Sequence, residues 1–589
     1  MPGTEELIKE AIGHAQAGRL PEAIACAGRA VAADPGHAGA SGLMGTLLHA
    51  AGRAGEAVPH LERAHAAAPG DARLAYQLGA VLMGVGQSGR GLQMMARAVD
   101  LEPAWVQAMN GLATALYGAG DFDRADEMYR RSLATKPGQP EAMCGLAGLM
   151  IVGGRVREAV DLFREAGRQH PGSAEVMGKL LSALNYADDA TPEEMLAAHR
   201  RWGELVSGAG VSGDGRAFAN SRDPERKLRI GLLSPDLYDH SCAYFLRPLI
   251  RNRDRSRYEV VCYAAGGRAD WMTDQLRAGV DSWREVGGVP EQRLVDTIRA
   301  DGVDVLIELA GHTALGPLAA LRRRAAPVQA TYLGYPNTTG LSTIDYRIVD
   351  EITDPPGAEA WHTERLVRLP GCFLCYSPSE HAPPVTPAPC AATGRVTFGS
   401  FNSIRKIGPA TIDLWSRVLS AVPGSRLLLK TRGLGVAYAR RALLSAFAER
   451  GIAAERIEML DMVPSKPDHM GWYGRVDIGL DTFPYNGTTT TCEALWMGVP
   501  VVSLRGGVHA ARVGASLLSA AGMPEFVAGS PEEYARIAAR LAAGVPLLAS
   551  TRAGMREALR GSVLLDGAAH AGRFFDAVRV MWRAWCAGA

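Results

Sequence analysis

Four consecutive threonines, Thr488, Thr489, Thr490 and Thr491, stand inside DTFPYNGTTTTCEALWMGVPVVSL, residues 481–504. The preceding run VDIGL reads as a strand, Pro484 and Gly487 turn the chain, and CEALWM opens an apolar helix. Threonine hydroxyls beside the free N–H groups of a helix start make an anion site suited to phosphate. The other reading is that one threonine caps the helix and the rest meet solvent. Glu493 follows one turn into the helix. It is placed to accept hydrogen bonds from ribose hydroxyls, or else is an exposed helix glutamate.

Further polar residues stand just after apolar runs, where an open parallel sheet binds its ligands. Lys406 lies in SFNSIRKIGP, before a helix at Pro409, where an ammonium could neutralise a diphosphate leaving group. Lys466 and His469 share the loop VPSKPDH; each alone reads first as a surface group, and two such loops at strand ends of one sheet favour a site. His240 follows LRIGLLSPDLYD and His312 follows DVLIELAG, as candidates for acid–base work or acceptor binding, or as hydrogen-bonded scaffold. LGYPNTTG, with Gly334 and Pro336, is a loop that touches a sugar or is simply a tight turn. No D-x-D stands near a strand end in these regions, which favours lysine and helix dipole over a metal. Only seven of the 63 basic residues are lysine, so a lysine marks a place where a compact ammonium is wanted.

These residues need strands to hold them. LRIGLLS, YEVVCYA and DVLIELAG are nearly continuous apolar runs, the pattern of strands buried on both faces of a parallel sheet. A second series, VTFGSF, SRLLLK, RIEMLD, VDIGLDT and VPVVSL, begins at Val396 after a proline-rich connector at 381–389. Two such series predict two Rossmann-like lobes facing across a cleft, at 227–390 and 391–589. No G-x-G-x-x-G follows either first strand, which leaves a nicotinamide or flavin unsupported.

Upstream the texture is different. Pro35, Pro69, Pro103, Pro137 and Pro171 recur every 34 residues, in step with Gly18, Gly52, Gly86, Gly120 and Gly154 and with two small-residue columns. That period is the tetratricopeptide signature, and it predicts an α-solenoid over 1–184 with a surface that grips other polypeptides. A helix at 192–206 and a glycine-rich stretch at 208–223 make 185–226 a helical linker.

Composition narrows the class. Of 589 residues, 47% are apolar and 21% charged, and the net charge of +1 offers no attraction to nucleic acid or anionic membrane. No signal-peptide pattern opens the chain and no apolar run approaches ~18 residues, so a cytoplasmic location is expected. Nine scattered cysteines, with Cys372 and Cys375 the single C-x-x-C, read as packing thiols.

With these residues in view, the chain resembles the O-GlcNAc transferase/SPINDLY family, family 41 of the glycosyltransferases. The resemblance rests on GLLSPDLYDHS, LAGHT, PVQATYLGYPNTTG with DYRIVD, SFNSIRKI, DTFPYNGTTTTCEALWMGVPVV and HAARVGASLL, in that order. It implies a GT-B catalytic region and metal-independent, inverting transfer of a sugar from a nucleotide diphospho-sugar to Ser or Thr of a protein. By position, Lys406 resembles the lysine on the diphosphate, and Thr489 and Thr490, with Thr488 beside them, the threonines on the β-phosphate. Glu493 takes the place of the ribose carboxylate, while Lys466 and His469 match the basic pair near base and ribose. Arg512 matches an arginine of HAARV, His240 the histidine near sugar and acceptor, and His312 the histidine of G-H-T. The animal enzymes have N-G-H-T-T where Thr488 stands here, glutamine at Ser403, and a second active-site histidine at Asp304.

The expected function is therefore protein O-glycosylation, with UDP-GlcNAc as the family's default co-substrate, no cofactor, and an acceptor protein held by the repeats. A flagellin-type transferase using a CMP- or GDP-linked sugar, and a non-catalytic repeat scaffold, are the alternatives.

Overall fold

Each repeat turns on a glycine. Gly18, Gly52, Gly86, Gly120 and Gly154 all have φ between 73° and 81°, the left-handed conformation in which a Cβ would be strained. The structure, a computed structural model, describes residues 2–208, 218–313, 316–463 and 465–588. The chain forms two compact units, residues 1–149 and 150–589, with the division inside helix Pro140–Val152.

The first unit is a series of helix pairs: Thr4–Gln16 with Leu20–Ala33, Ala38–Ala50 with Ala54–Ala67, Ala72–Gly84 with Ser88–Leu101, and Val106–Ala119 with Phe122–Thr135. The periodic small residues sit where helices cross. Ala23, Ala57, Ala125, Ala30, Ala64, Ala98 and Ser132 are fully buried. A Cβ on Gly91 would stand 2.9 Å from the Gly79 carbonyl oxygen of its partner helix. Each second helix stops two residues before the periodic proline, which cannot donate the next backbone hydrogen bond.

The second unit opens with helices Val156–Gln169, Ala174–Leu184 and Pro192–Ser207 and continues into two parallel sheets. The first sheet contains β1 (Leu228–Ser234), β2 (Tyr258–Ala264), β3 (Ser282–Glu285), β4 (Val305–Glu308), β5 (Val328–Thr331), β6 (Tyr346–Asp350) and β7 (Arg365–Leu369), in the order 3-2-1-4-5-6-7. The second contains β8 (Thr397–Ser400), β9 (Arg426–Lys430), β10 (Ile457–Leu460), β11 (Ile478–Leu480), β12 (Val501–Leu504) and β13 (Val527–Ala528), in the order 10-9-8-11-12-13. This is the two-lobed GT-B arrangement. In each lobe the order reverses beside the first strand, between β1 and β4 and between β8 and β11. A crevice opens at such a point, beyond the carboxyl ends of the strands.

The expected linker is more than a spacer. Most of 208–223 lies outside the described residues, but helix Pro192–Ser207 is part of the first lobe's core, where Trp202 packs among Leu306, Leu321 and Ile344. Helix Gly567–Cys586 also returns to the first lobe, although it follows the second in sequence. Tyr258 stacks on Phe575 at 4.7 Å, and Arg579 donates to the carbonyl oxygens of Pro224 and Arg226 at 2.8 Å. All nine cysteines are free and all but Cys586 are buried, as packing thiols should be. Among the described residues no helix is long and apolar enough to cross a membrane.

The docking of helix Pro192–Ser207 depends on two glycines in contact. A Cβ on Gly203 would lie 2.0 Å from the Gly340 carbonyl oxygen, and one on Gly340 would lie 2.1 Å from that of His199. Gly203→Ala should therefore lower stability by ~1–3 kcal/mol through overpacking, although alanine is the better helix former. Gly178→Ala, where the nearest atom is 3.8 Å away, should be neutral or stabilising. Denaturant midpoints of the two variants measure the difference.

Candidate active site

Strand β11 delivers a loop whose shape is set by one carboxylate. Asp481 is buried and accepts from the Gly487 amide and the Ser503 hydroxyl at 2.6 Å and from the Thr482 amide at 2.9 Å. Burial raises its pKa to about 6 despite these bonds. Folding the loop back on Asp481 brings Thr488 to the start of helix Thr489–Trp496. The Thr489 hydroxyl is buried and has no hydrogen-bond partner, while Thr490 Oγ1 donates to Asn402 Oδ1 at 2.9 Å. An unpaired buried hydroxyl beside the free amides of a helix start is an incomplete set of hydrogen bonds that an anion would complete.

Lys406 closes a short 3-10 turn after β8 and reaches the same loop. Its Nζ donates to the Asn486 carbonyl oxygen at 2.7 Å and lies 3.9 Å from the centre of the Tyr485 ring, on which Tyr186 stacks. Burial lowers its pKa to about 8, with Asp481 pulling the other way.

A second set of basic groups is organised by Glu493, whose side chain is 3% exposed. It accepts from Lys466 Nζ at 2.5 Å and from His469 Nε2 at 3.0 Å. Lys430, the last residue of β9, approaches His469 Nδ1 at 2.6 Å. One tautomer satisfies both contacts: Nδ1 accepts from the ammonium and Nε2–H donates to the carboxylate. Burial opposes the charge on Glu493, but Lys466 and His469 outweigh it and hold its pKa at about 2. Lys430 is lowered to about 8 by burial, against the pull of Glu493.

The first lobe supplies the opposite wall. His240 follows β1 and caps helix Ser241–Arg251, its Nδ1 accepting from the Cys242 amide at 3.4 Å with Asp236 Oδ2 3.9 Å away. Burial keeps its pKa below the ordinary histidine value, against the pull of Asp236. The Tyr244 ring lies 4.7 Å from Lys466 Nζ and so touches the other lobe across the gap. Gly334 leaves no room for a Cβ, which would meet the Leu309 carbonyl oxygen at 2.0 Å. Beside it Leu333 is held at φ 79°, the one non-glycine with positive φ among the described residues, and such strain gathers at ligand sites.

One cleft of about 640 Å3 is lined by His240, Gly334, Pro336, Lys406, Lys466, His469, Thr488, Thr489, Thr490 and Glu493, together with Lys430, Tyr244, Tyr485 and His509. Ten of the expected site residues therefore meet. Two do not, and both readings need correction. His312 does not line the cleft. Its Nε2 lies 2.7 Å from the Thr339 carbonyl oxygen, its ring packs at 4.4 Å from Trp202, and burial lowers its pKa to about 4. It is a scaffold histidine seating the Pro192–Ser207 helix. Arg512 likewise stands outside the lining. It spans the lobes, donating to the carbonyl oxygens of Ile352 at 2.6 Å and Gly506 at 3.2 Å. Asp304, where the resemblance puts a histidine in the animal enzymes, sits at the far end of the sheet, just before β4. There it accepts from the Arg229 amide at 2.8 Å and from Arg226.

Lys430 escaped the sequence reading although two signals marked it: it ends a strand of the second lobe and is one of only seven lysines. His509 carried a weaker signal in HAARV. Its Nδ1 lies 2.5 Å from Asp354 Oδ2, and Asp354 also takes His362 at 3.0 Å; burial opposes the Asp354 charge, but the contacts with His509 and His362 outweigh it and hold its pKa far below the carboxylate range.

Glu493→Gln would remove the charge that offsets Lys466, His469 and Lys430. Breaking a fully buried pair costs ~3–5 kcal/mol. The loss here should be smaller, because Lys466 keeps 22% of its side chain in solvent. Thermal unfolding should show destabilisation that rising salt reduces by screening the freed cations.

Comparison with known proteins gives this geometry a lineage. The description "Glycosyl transferase family 41" matches residues 215–381 and 391–573, and tetratricopeptide descriptions match 8–72, 76–140 and 116–184. A Petunia hybrida protein named probable UDP-N-acetylglucosamine--peptide N-acetylglucosaminyltransferase SPINDLY is 44% identical over 412 residues, 69% of this chain and 44% of its own length. The Caenorhabditis elegans UDP-N-acetylglucosamine--peptide N-acetylglucosaminyltransferase is 26% identical over 483 residues, 62% of this chain and 41% of its own. The chain thus spans less than half the length of these curated relatives. The solved structure of a mutant Thermobaculum terrenum O-GlcNAc transferase superposes with a TM-score of 0.80 at 35% identity, covering 88% of this chain and 98% of that one. With a family description covering more than half of its residues and a solved relative matched almost end to end, the chain belongs to glycosyl transferase family 41.

Proposed function

We propose that this chain is an inverting protein O-glycosyltransferase that moves a sugar, GlcNAc by family default, from a nucleoside diphospho-sugar to a Ser or Thr hydroxyl. The observation that carries the reading is the convergence, in one cleft, of the Lys406 ammonium and the start of helix Thr489–Trp496 with its unpaired Thr489 hydroxyl. Both suit a diphosphate, and both gain strength as charge develops on it. The names borne by the relatives support UDP-GlcNAc as donor, and the repeats support a polypeptide acceptor, held in the cytoplasm.

The chemistry follows from the geometry. The acceptor oxygen attacks the anomeric carbon, the bond to the β-phosphate oxygen breaks, and the electron pair leaves with the nucleoside diphosphate. Lys406 and the helix amides stabilise that charge. The acceptor proton goes to Nδ1 of His240, held neutral by burial, in place of the long 3.4 Å hydrogen bond from the Cys242 amide, and the imidazolium formed would lie 3.9 Å from Asp236. A donor phosphate oxygen is the second candidate for that proton. Glu493 keeps Lys466, His469 and Lys430 oriented toward the nucleoside end.

The primary test is transfer to a protein acceptor with UDP-, GDP- and CMP-linked sugars supplied in parallel. Incorporation from UDP-GlcNAc is expected. Incorporation from another donor alone would refute the GlcNAc assignment, and none from any donor would leave a scaffold. EDTA should leave the rate unchanged, since the diphosphate is met by lysine and helix.

Lys406→Ala should lower kcat by roughly 10²–10³ and raise KM for the donor far less, because the contact strengthens in the transition state. Lys406→Arg should recover only part, the guanidinium being larger and planar. The pKa near 8 sets the sign of the pH effect: as pH rises past it the ammonium becomes neutral, so kcat/KM should fall on the alkaline side. Lys430, also near 8, contributes to the same limb, so Lys406→Arg should shallow it without abolishing it.

A further inference from the structure

The first-lobe wall holds three groups that together suit something other than a sugar. A carboxylate oxygen of Asp236, an imidazole nitrogen of His240 and the Cys242 sulfur all lie within 4.8 Å of one another. The closest recorded approach is 3.9 Å, Asp236 Oδ2 to His240 Nδ1. In a tetrahedral zinc site with bonds of about 2.0–2.3 Å, neighbouring ligand atoms stand roughly 3.3–3.8 Å apart, so small side-chain rotations would close this set.

Three observations mark the cluster as more than chance. The Asp236 side chain is only 13% exposed, yet among the described residues nothing donates a hydrogen bond to its carboxylate; the nearest basic group is the His240 imidazole. Burying a carboxylate without donors is costly, and a cation removes the cost. The Cys242 thiol is free and buried, and among the described residues no other residue hydrogen-bonds to its sulfur. Thirdly, His240 and Cys242 both line the cleft, so a bound ion would have its fourth position open there. A second cluster, Glu10, His14 and Cys26, shares the free, buried thiol but lines no part of the cleft, and its other two groups are more firmly engaged than His240, which takes only a 3.4 Å bond from the Cys242 amide. His14 Nδ1 already accepts from Arg19 at 3.0 Å, and Glu10 is half exposed beside Arg29 at 3.9 Å.

We propose that Asp236, His240 and Cys242 form a binding site for a thiophilic divalent cation of the zinc class, and that its occupation stops sugar transfer. Binding replaces the Cys242 thiol proton, which leaves to solvent, by a metal–sulfur bond; nothing is oxidised or reduced. The ion takes the His240 lone pair and stands where the acceptor oxygen must approach. The inhibitory half of the proposal rests on the function proposed above; the binding half does not.

The test uses the full chain, freed of any affinity tag, with Co2+ as the probe. One equivalent should produce the near-ultraviolet charge-transfer absorption of a cobalt–thiolate bond, and Zn2+ should displace it. The band should vanish in Cys242→Ser and persist in Cys26→Ser. Removing even an outer-shell partner commonly costs about 10–100-fold in metal affinity, so Cys242→Ser should raise the Zn2+ concentration for half-inhibition at least tenfold. Absence of the band in the wild type, its survival in Cys242→Ser, or unchanged Zn2+ inhibition in that variant would each overturn the proposal. Should Cys242→Ser not fold, Asp236→Asn serves: a Co2+ affinity equal to that of the wild type refutes the site. A protein inactive with every donor would sink the reading of function while leaving the cobalt spectrum to be judged alone.

Discussion

Like charges crowded into a partly dry cleft repel one another and resist leaving water, and the second lobe must hold three ammonium groups in one such cleft. Lys406, Lys430 and Lys466 account for nearly half the lysines in the chain, and burial has already pulled two of them down to a pKa near 8. What makes the arrangement tenable is the buried Glu493 carboxylate, set one turn into helix Thr489–Trp496 within reach of Lys466 and His469. The helix in turn owes its position to Asp481, which folds the β11 loop back on itself. The positive charge of the cleft thus rests on two buried carboxylates, Glu493 beside its ammonium groups and Asp481 beneath the loop that leads to it.

The first lobe meets this surface through contacts that are individually small. Tyr244 lies against Lys466, Arg512 ties its own loop to Ile352, and His509 shares Asp354 with His362. Each joins residues from both lobes, so the width of the cleft is set by several short polar reaches. Helix Pro192–Ser207 braces the first lobe from behind, through Trp202 and the glycine contact at Gly203 and Gly340.

The regular parts of this design were legible in the chain. The 34-residue period located the left-handed glycines from Gly18 to Gly154 and the small residues buried at the same spacing, because repeat geometry imposes itself on every unit. Continuous apolar runs located the long inner strands. The short edge strands β3, with the residues SWRE, and β13, two residues long, lack that pattern since an edge is only half covered. Ten site residues could be found because they follow strands of the two sheets or stand at the start of one helix after such a strand. His312 follows a strand too, but Gly311 at φ 55° intervenes in the turn, and the imidazole ends among Trp202, His199 and Tyr335. A pairing such as Tyr244 with Lys466 has no local signature at all, being created by the approach of two lobes.

The return of helix Gly567–Cys586 to the first lobe has a consequence for how the molecule is made. The sheet it covers is complete in sequence at Leu369, yet the partners of Tyr258, Pro224 and Arg226 lie in a helix synthesised only after the whole second lobe. During synthesis the first lobe must wait with an apolar face uncovered while its neighbour folds. The lobe made first is therefore finished last, and the order of the chain on the ribosome is not the order in which its two halves reach their native state.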